Sequence, residues 1–270
     1  MGTSERAGSQ ELEMWVGVGL KEAVAPESYV DETEGVVVDL ASGELVLDVW
    51  EVAEQLPLPL IETAPLLTAP RWKLAVKRTI DIVGASIGLL LVLPLIVVIS
   101  IAVATTSRGP ILYRQKRIGR GGRPFTFLKF RSMYRDAESR LSGLRYLNDA
   151  SGPVFKMKSD PRVTPVGRVL RRWSMDELPQ LVNVIAGQMS LVGPRPPLPQ
   201  EVDEYGELAR QRLLVKPGIT CIWQVSGRSD VDFDRWVTMD LEYVFAWSLL
   251  LDLKLLARTL PAVLGRRGAY

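Results

Sequence analysis

Asp176 and Glu177 stand side by side within residues 159–196, SDPRVTPVGRVLRRWSMDELPQLVNVIAGQMSLVGPRP, among arginines at 162, 168, 171, 172 and 195. Guanidinium groups gathered around a carboxylate pair suit a substrate that carries several negative charges, and the planar fork of arginine matches phosphate oxygens. An ionised carboxylate can attack phosphorus or hold a divalent cation. The same pair can also serve only to cap a helix, and arginines on a short helix can be a solvated face.

Local signals place these residues. Thr164-Pro165 reads as an N-cap followed by proline at the first helical position, so a short helix carries Arg168, Arg171 and Arg172. Ser174-Met175-Asp176-Glu177 reads as a capping box opening a second helix through about Ala186, with Gly187 as its stop. Asp176 and Glu177 are then expected in that helix's first turn, where free amides favour charged carboxylates. Residues 111–131 read as a β-hairpin around Gly119-Arg120-Gly121-Gly122. Further on, Phe233, Trp236, Tyr243 and Trp247 recur near helical spacing as a packing stripe. The stretch AWSLLLDLKLLARTLPAVL fits either a core helix or one lying in a membrane interface.

Residues 82–104 contain no charge over 23 positions, enough at about 1.5 Å per residue to reach across a core of roughly 30 Å. A plain spanning helix is one reading. Against it, Arg71, Lys73, Lys77 and Arg78 precede the run, and Arg108, Arg114, Lys116 and Arg117 follow it, so both flanks ask to be cytoplasmic. Pro94 lies at the midpoint and divides the run into legs too short to span, which fits a helix-break-helix that enters one leaflet and returns.

Charge is divided along the chain: residues 1–70 carry net −12 and residues 71–270 net +14. The basic part could bind nucleic acid, anionic lipid or phosphorylated metabolites, but nucleic-acid binding leaves the apolar run without a purpose. Eight basic residues and no acid in 105–131 place the hairpin at the headgroup surface. The chain has no histidine and one cysteine, Cys221, which excludes imidazole catalysis, a multi-cysteine metal site and an internal disulfide. Residues 1–70 lack a signal-peptide pattern and contain an expected strand at 35–40, an expected helical stretch at 47–55 and a Pro-rich linker at 56–70. The expected organisation is an acidic segment at 1–70, a remnant of an α/β unit, and a membrane-associated module at 71–270 with the re-entrant hairpin at 77–106. The fold class expected is α+β, mainly helical: the re-entrant segment, a small cytoplasmic module with a β-hairpin, and interfacial helices.

KRTIDI (77–82), the apolar run with Pro94, GPILYRQKRIGRGGRPFTFLKFRSM (109–133), the 159–196 stretch, KPGITCIWQVSGR (216–228) and DLEYVFAWSLLLDLKLL (240–256) together resemble the bacterial sugar transferases. These are monotopic polyprenyl-phosphate phosphoglycosyltransferases that begin exopolysaccharide, capsule and O-antigen assembly. The resemblance implies transfer of a sugar 1-phosphate, glucose or galactose, from a UDP-sugar to undecaprenyl phosphate at the cytoplasmic face of the bacterial inner membrane. It implies a covalent phosphosugar on Asp176, with Glu177 as dyad partner, Mg²⁺ held by Glu177 and Asp176, and Arg195 of the Pro194-Arg195-Pro196 motif against the nucleotide. Lys129, Arg131, Arg168 and Arg171 are the candidates for phosphate contacts. No nucleic-acid partner is expected, and a homodimer is compatible with the pattern. The alternatives are a membrane-anchored basic binding module and a scaffold of a polysaccharide assembly complex, neither with turnover.

Overall fold

In the computed structural model, the described residues are 64–149, 152–155, 157, 159–226 and 232–264, together with three short strands upstream. Those strands, β1 (Ser28–Asp31), β2 (Val36–Asp39) and β3 (Leu45–Asp48), form an antiparallel sheet in the order β1-β2-β3. β2 falls inside the strand expected at 35–40. The helical stretch expected at 47–55 is corrected at its start, because residues 47 and 48 belong to β3; pairing with β2 overrides local helix preference there. The rest of that stretch lies outside the described residues. In the linker, α1 (Pro65–Thr68) is a single turn opened by proline at its first position.

The apolar run lies in α2 (Arg71–Thr106), 36 residues long. The expected break at Pro94 does not end the helix: its ring nitrogen cannot donate to the Leu90 carbonyl, so the ladder loses a bond there, the usual site of a helix bend, while residues on both sides stay helical. Three polar side chains, Lys77, Arg78 and Asp81, fasten the first part of α2 to the rest of the module. Lys77 Nζ donates to Asp252 at 2.8 Å, to the Tyr243 hydroxyl at 3.1 Å and to the Val192 carbonyl at 3.2 Å. Arg78 donates to the carbonyls of Val184 and Ile185 at 2.7 and 2.9 Å, and buried Asp81 accepts from the Ser190 hydroxyl and the Leu191 amide. Arg131 closes the far end of α2 by donating to the carbonyls of Val103 and Ser107. Between these ends the apolar surface is open: Leu90 is 71% and Leu91 76% exposed.

The expected hairpin forms as β4 (Leu112–Ile118) and β5 (Pro124–Phe130), with Tyr113 opposite Lys129 and Arg117 opposite Phe125. Its turn needs two left-handed residues, Gly121 and Gly122 at φ 67° and 74°. Just past the end of β5 lies Ser132, against which α3 (Pro165–Arg172) is docked. A Cβ at Gly167 would lie 1.8 Å from the Ser132 carbonyl oxygen, so only glycine permits this approach. Thr164 caps α3 as expected, accepting from the Gly167 amide at 2.9 Å. Thr164→Ala is expected to lower stability by about 1 kcal/mol in chemical denaturation, the usual size of a lost N-cap.

After α3 the chain departs from the sequence reading. Met175–Glu177 form a 3-10 turn, and α4 (Gln180–Ile185) begins only after Pro179. Gly187 at φ 82° does end that helix. Beyond it, β6 (Ser190–Val192) runs parallel to β7 (Gly218–Thr220), with α5 (Pro199–Asp203) and α6 (Glu207–Gln211) between them. Three helices complete the described chain: α7 (Ile222–Ser226), α8 (Phe233–Phe245) and α9 (Leu249–Leu264). The aromatic stripe packs as expected, with Trp236, Tyr243 and Trp247 buried. α9 resolves its two readings by face: Asp252 and Leu255 are buried, whereas Leu250 and Leu253 are half exposed. The fold is thus mainly helical, with small sheets and one long apolar helix.

Candidate active site

Ser174 decides where the carboxylates point. Its amide donates to the Arg171 carbonyl at 3.0 Å, so it terminates α3 instead of capping α4, and its side chain makes no cap bond. At φ 53° it is the one non-glycine residue with positive φ among the described residues, a conformation that non-glycine side chains adopt at a cost. The expected capping box is therefore corrected. Asp176 and Glu177 do lie in a first turn, but it is a single 3-10 turn between α3 and α4 instead of the start of an α-helix.

Asp176 is 7% exposed, and among the described residues its carboxylate accepts no hydrogen bond. Glu177 is partly exposed. Burial, and then the charge of Asp176, push the Glu177 carboxyl above the ordinary carboxylate range, while Arg195, Lys129 and Arg117 pull it back. The cations come from four elements: Arg117 from β4, Lys129 from β5, Arg171 from α3 and Arg195 from the loop after β6. Burial drives the Lys129 ammonium down to about 8, with Asp176 and Glu177 opposing the shift and Arg171 and Arg117 reinforcing it. Arg117 is pushed down to about 10 by burial and by Arg195, and Arg171 is lowered by burial against the charges of Asp176 and Asp160. Four cations thus converge on two carboxylates in a poorly solvated site, with Glu201 acting on Arg117 and Asp160 on Arg171 from outside the pair, and their N–H donors suit the oxygens of a bound polyanion.

Of the residues singled out in the sequence, Asp176, Glu177, Lys129, Arg171 and Arg195 share this electrostatic cluster. Lys129 lies over the Tyr113 ring at 5.6 Å, and Arg171 Nε donates to the Ser132 hydroxyl at 3.1 Å. Arg131 is elsewhere. Its guanidinium is occupied by backbone carbonyls and the Ser107 hydroxyl at the end of α2, a role that fixes that end of the long apolar helix. Arg168 is exposed on the outer face of α3, and Pro94 is remote in α2.

Arg117 was grouped with the surface basic residues on composition, yet it is 5% exposed and donates to the Pro196 carbonyl at 2.9 Å. Strand alternation could have found it. Tyr113, Gln115 and Arg117 share one face of β4 and are joined by hydrogen bonds of 3.3 and 3.1 Å, while Arg114 and Lys116 on the other face are exposed.

No cluster of three metal-ligating acids, cysteines or histidines occurs among the described residues. Magnesium needs fewer protein ligands, because it takes one or two carboxylates and completes its shell with phosphate oxygens and water. Asp176 and Glu177, two mutually repelling carboxylates with unspent lone pairs, fit that requirement.

Residues 72–266 match the family described as bacterial sugar transferase. The chain is 44% identical over 197 residues to galactosyl transferase CpsE of Streptococcus agalactiae, covering 73% of this chain and 44% of that protein. It is 42% identical over 198 residues to the exopolysaccharide production protein ExoY of Rhizobium meliloti, covering 72% and 88%. With the undecaprenyl-phosphate galactose phosphotransferase of Salmonella typhimurium it shares 43% identity over 210 residues, covering 75% and 43%. It thus spans less than half of two of these relatives and most of the third.

Proposed function

The chain belongs to the bacterial sugar transferase family, and on that premise we propose that it transfers a hexose 1-phosphate, glucose or galactose, from a UDP-sugar to undecaprenyl phosphate and releases UMP. The observation that carries the reading is a carboxylate pair, Asp176 buried and Glu177 partly so, facing four convergent cations on a body that also exposes a long apolar helix.

In the first step, a carboxylate oxygen of Asp176 attacks the phosphorus bonded to the sugar. The bond from that phosphorus to the bridging oxygen breaks, and UMP leaves with the electron pair. Asp176 then holds the phosphosugar as an acyl phosphate. In the second step, a phosphate oxygen of the lipid attacks the same phosphorus, and Asp176 departs as a free carboxylate. No general acid is required for a phosphate leaving group, which suits a site without histidine. Arg195, Lys129, Arg171 and Arg117 hold the phosphates and offset the charge that accumulates between them. Magnesium bound by the two carboxylates would neutralise the diphosphate that a negative nucleophile must approach. A panel of UDP-sugars incubated with undecaprenyl phosphate and Mg²⁺ tests the reading. Repeated UMP release that needs both sugar donor and lipid, with no more than about one equivalent per enzyme when lipid is omitted, supports it; no release from any UDP-hexose would overturn it.

The proposed seat of the enzyme is the cytoplasmic face of the inner membrane, with α2 entering and leaving one leaflet. Two contacts support this arrangement. Ala85 shares a buried cluster with Phe125 and Phe127, and Val103 shares one with Phe130, so positions 18 residues apart on α2 rest on one seven-residue strand. In a spanning helix those positions would lie about 27 Å apart across the bilayer. The hairpin carrying Arg117 and Lys129 would then have to enter hydrocarbon. Cysteines at the exposed positions Lys73 and Arg114, in a Cys221→Ser background, are expected to resist an impermeant thiol reagent in intact cells and to react after lysis. Labelling of one alone in intact cells would restore a spanning helix.

A further inference from the structure

Arg195 has an unusual set of contacts. Among the described residues its side chain forms no hydrogen bond and no ion pair, so all its N–H donors remain available. What holds it is the face of Trp236, with the guanidinium carbon 5.3 Å from the ring centroid. A second guanidinium, that of Arg212, lies over the same indole at 5.0 Å. Arg212 is 2% exposed, pairs with fully buried Asp240, and donates to the Arg195 backbone carbonyl at 3.3 Å and to the Tyr205 hydroxyl at 3.2 Å. Trp236 and Asp240 are one turn apart on α8 and so share a face.

Packing alone does not account for this group. Two cations on one indole repel, and a buried ion pair is seldom more stabilising than apolar side chains of the same volume. The arrangement does, however, fix Arg195 completely. Its backbone is pinned by Arg212 on its own carbonyl and by Arg117 on the next, Pro196. Its side chain is held by a flat surface that consumes none of its donors. Asp240 supplies the counter-charge for Arg212 behind the ring, leaving the charge of Arg195 for a ligand.

We infer that Trp236 is a positioning residue that presents the Arg195 guanidinium to the diphosphate of the nucleotide sugar, with the Arg212–Asp240 pair fixing the Arg195 backbone behind it. This rests on the reading of Arg195 as a nucleotide contact. UDP is a suitable probe, because it carries the diphosphate and can be titrated calorimetrically onto the full chain in detergent with Mg²⁺. Trp236→Leu is expected to weaken UDP binding about tenfold, or about 1.4 kcal/mol. Trp236→Phe, which keeps a ring but a poorer cation surface, is expected to weaken it about threefold. In an Arg195→Ala background neither change should matter by more than about twofold.

A folded Trp236→Leu protein, judged by an unchanged melting transition, that binds UDP like the parent would overturn the inference. So would the full tenfold loss persisting without Arg195, since it would mark Trp236 as acting through general packing. Should Trp236→Leu not fold, the Phe variant decides by the same comparison. An Arg195→Ala protein with unchanged UDP affinity would instead remove the nucleotide contact itself, and the positioning role with it.

Discussion

Asp176→Asn is expected to abolish turnover, by at least about a thousandfold, while the protein folds as well as the parent. The reason lies in the isolation of the carboxylate. It is buried, accepts no hydrogen bond among the described residues and faces Glu177 as well as Lys129 and Arg171, so an uncharged amide breaks no bond, and the repulsion it removes offsets the attraction it gives up. A purely structural acid would behave in the opposite way, since its neutral replacement would cost stability and leave chemistry intact. Parent enzyme given a UDP-sugar labelled in the sugar, without lipid acceptor, should acquire one label, and addition of undecaprenyl phosphate should discharge it. The Asn variant should acquire none. Peptide mapping of the adduct to any residue but Asp176, or substantial turnover by the Asn variant, would end the assignment.

What the sequence disclosed depended on the range of the forces involved. Thr164-Pro165 and the glycine turn at 119–122 are set by neighbours two or three residues away, and both form as read. The Ser174 capping box is equally local in pattern but failed, because α3 runs directly into it and claims the Ser174 amide for the Arg171 carbonyl. Two helix signals competed for one residue. Arg131 and Lys129 show a further limit: they are two apart, Lys129 in β5 and Arg131 just past its end, and one reaches the end of α2 while the other reaches the carboxylates. Lys77 and Arg78 looked like flanking charges of a membrane segment, and Asp81 beside them was given no role. Their bonds to Asp252, Val184 and Ser190 bridge more than a hundred residues, and no local pattern encodes such partners.

Lys129 connects this site to pH. Burial lowers its pKa to about 8, so near neutrality it is mostly protonated and able to hold a phosphate, and that capacity is lost as pH rises through 8. The relevant quantity is kcat/KM, which reports the free enzyme, because bound phosphate would favour the charged form and move the transition upward. The neighbouring cation and phenol titrate higher, Arg117 near 10 and Tyr113 near 12. A single-proton decline in kcat/KM above pH 8 is therefore expected from the parent. Lys129→Arg should keep part of the activity and carry it on to about pH 10, because a guanidinium in the same place stays charged. Lys129→Met should lose about a hundredfold at pH 7 and show no such decline, since the group that titrates is gone. Persistence of the decline at pH 8 in the Arg variant would assign it to another group and leave Lys129 as a neighbour of the reaction instead of a participant.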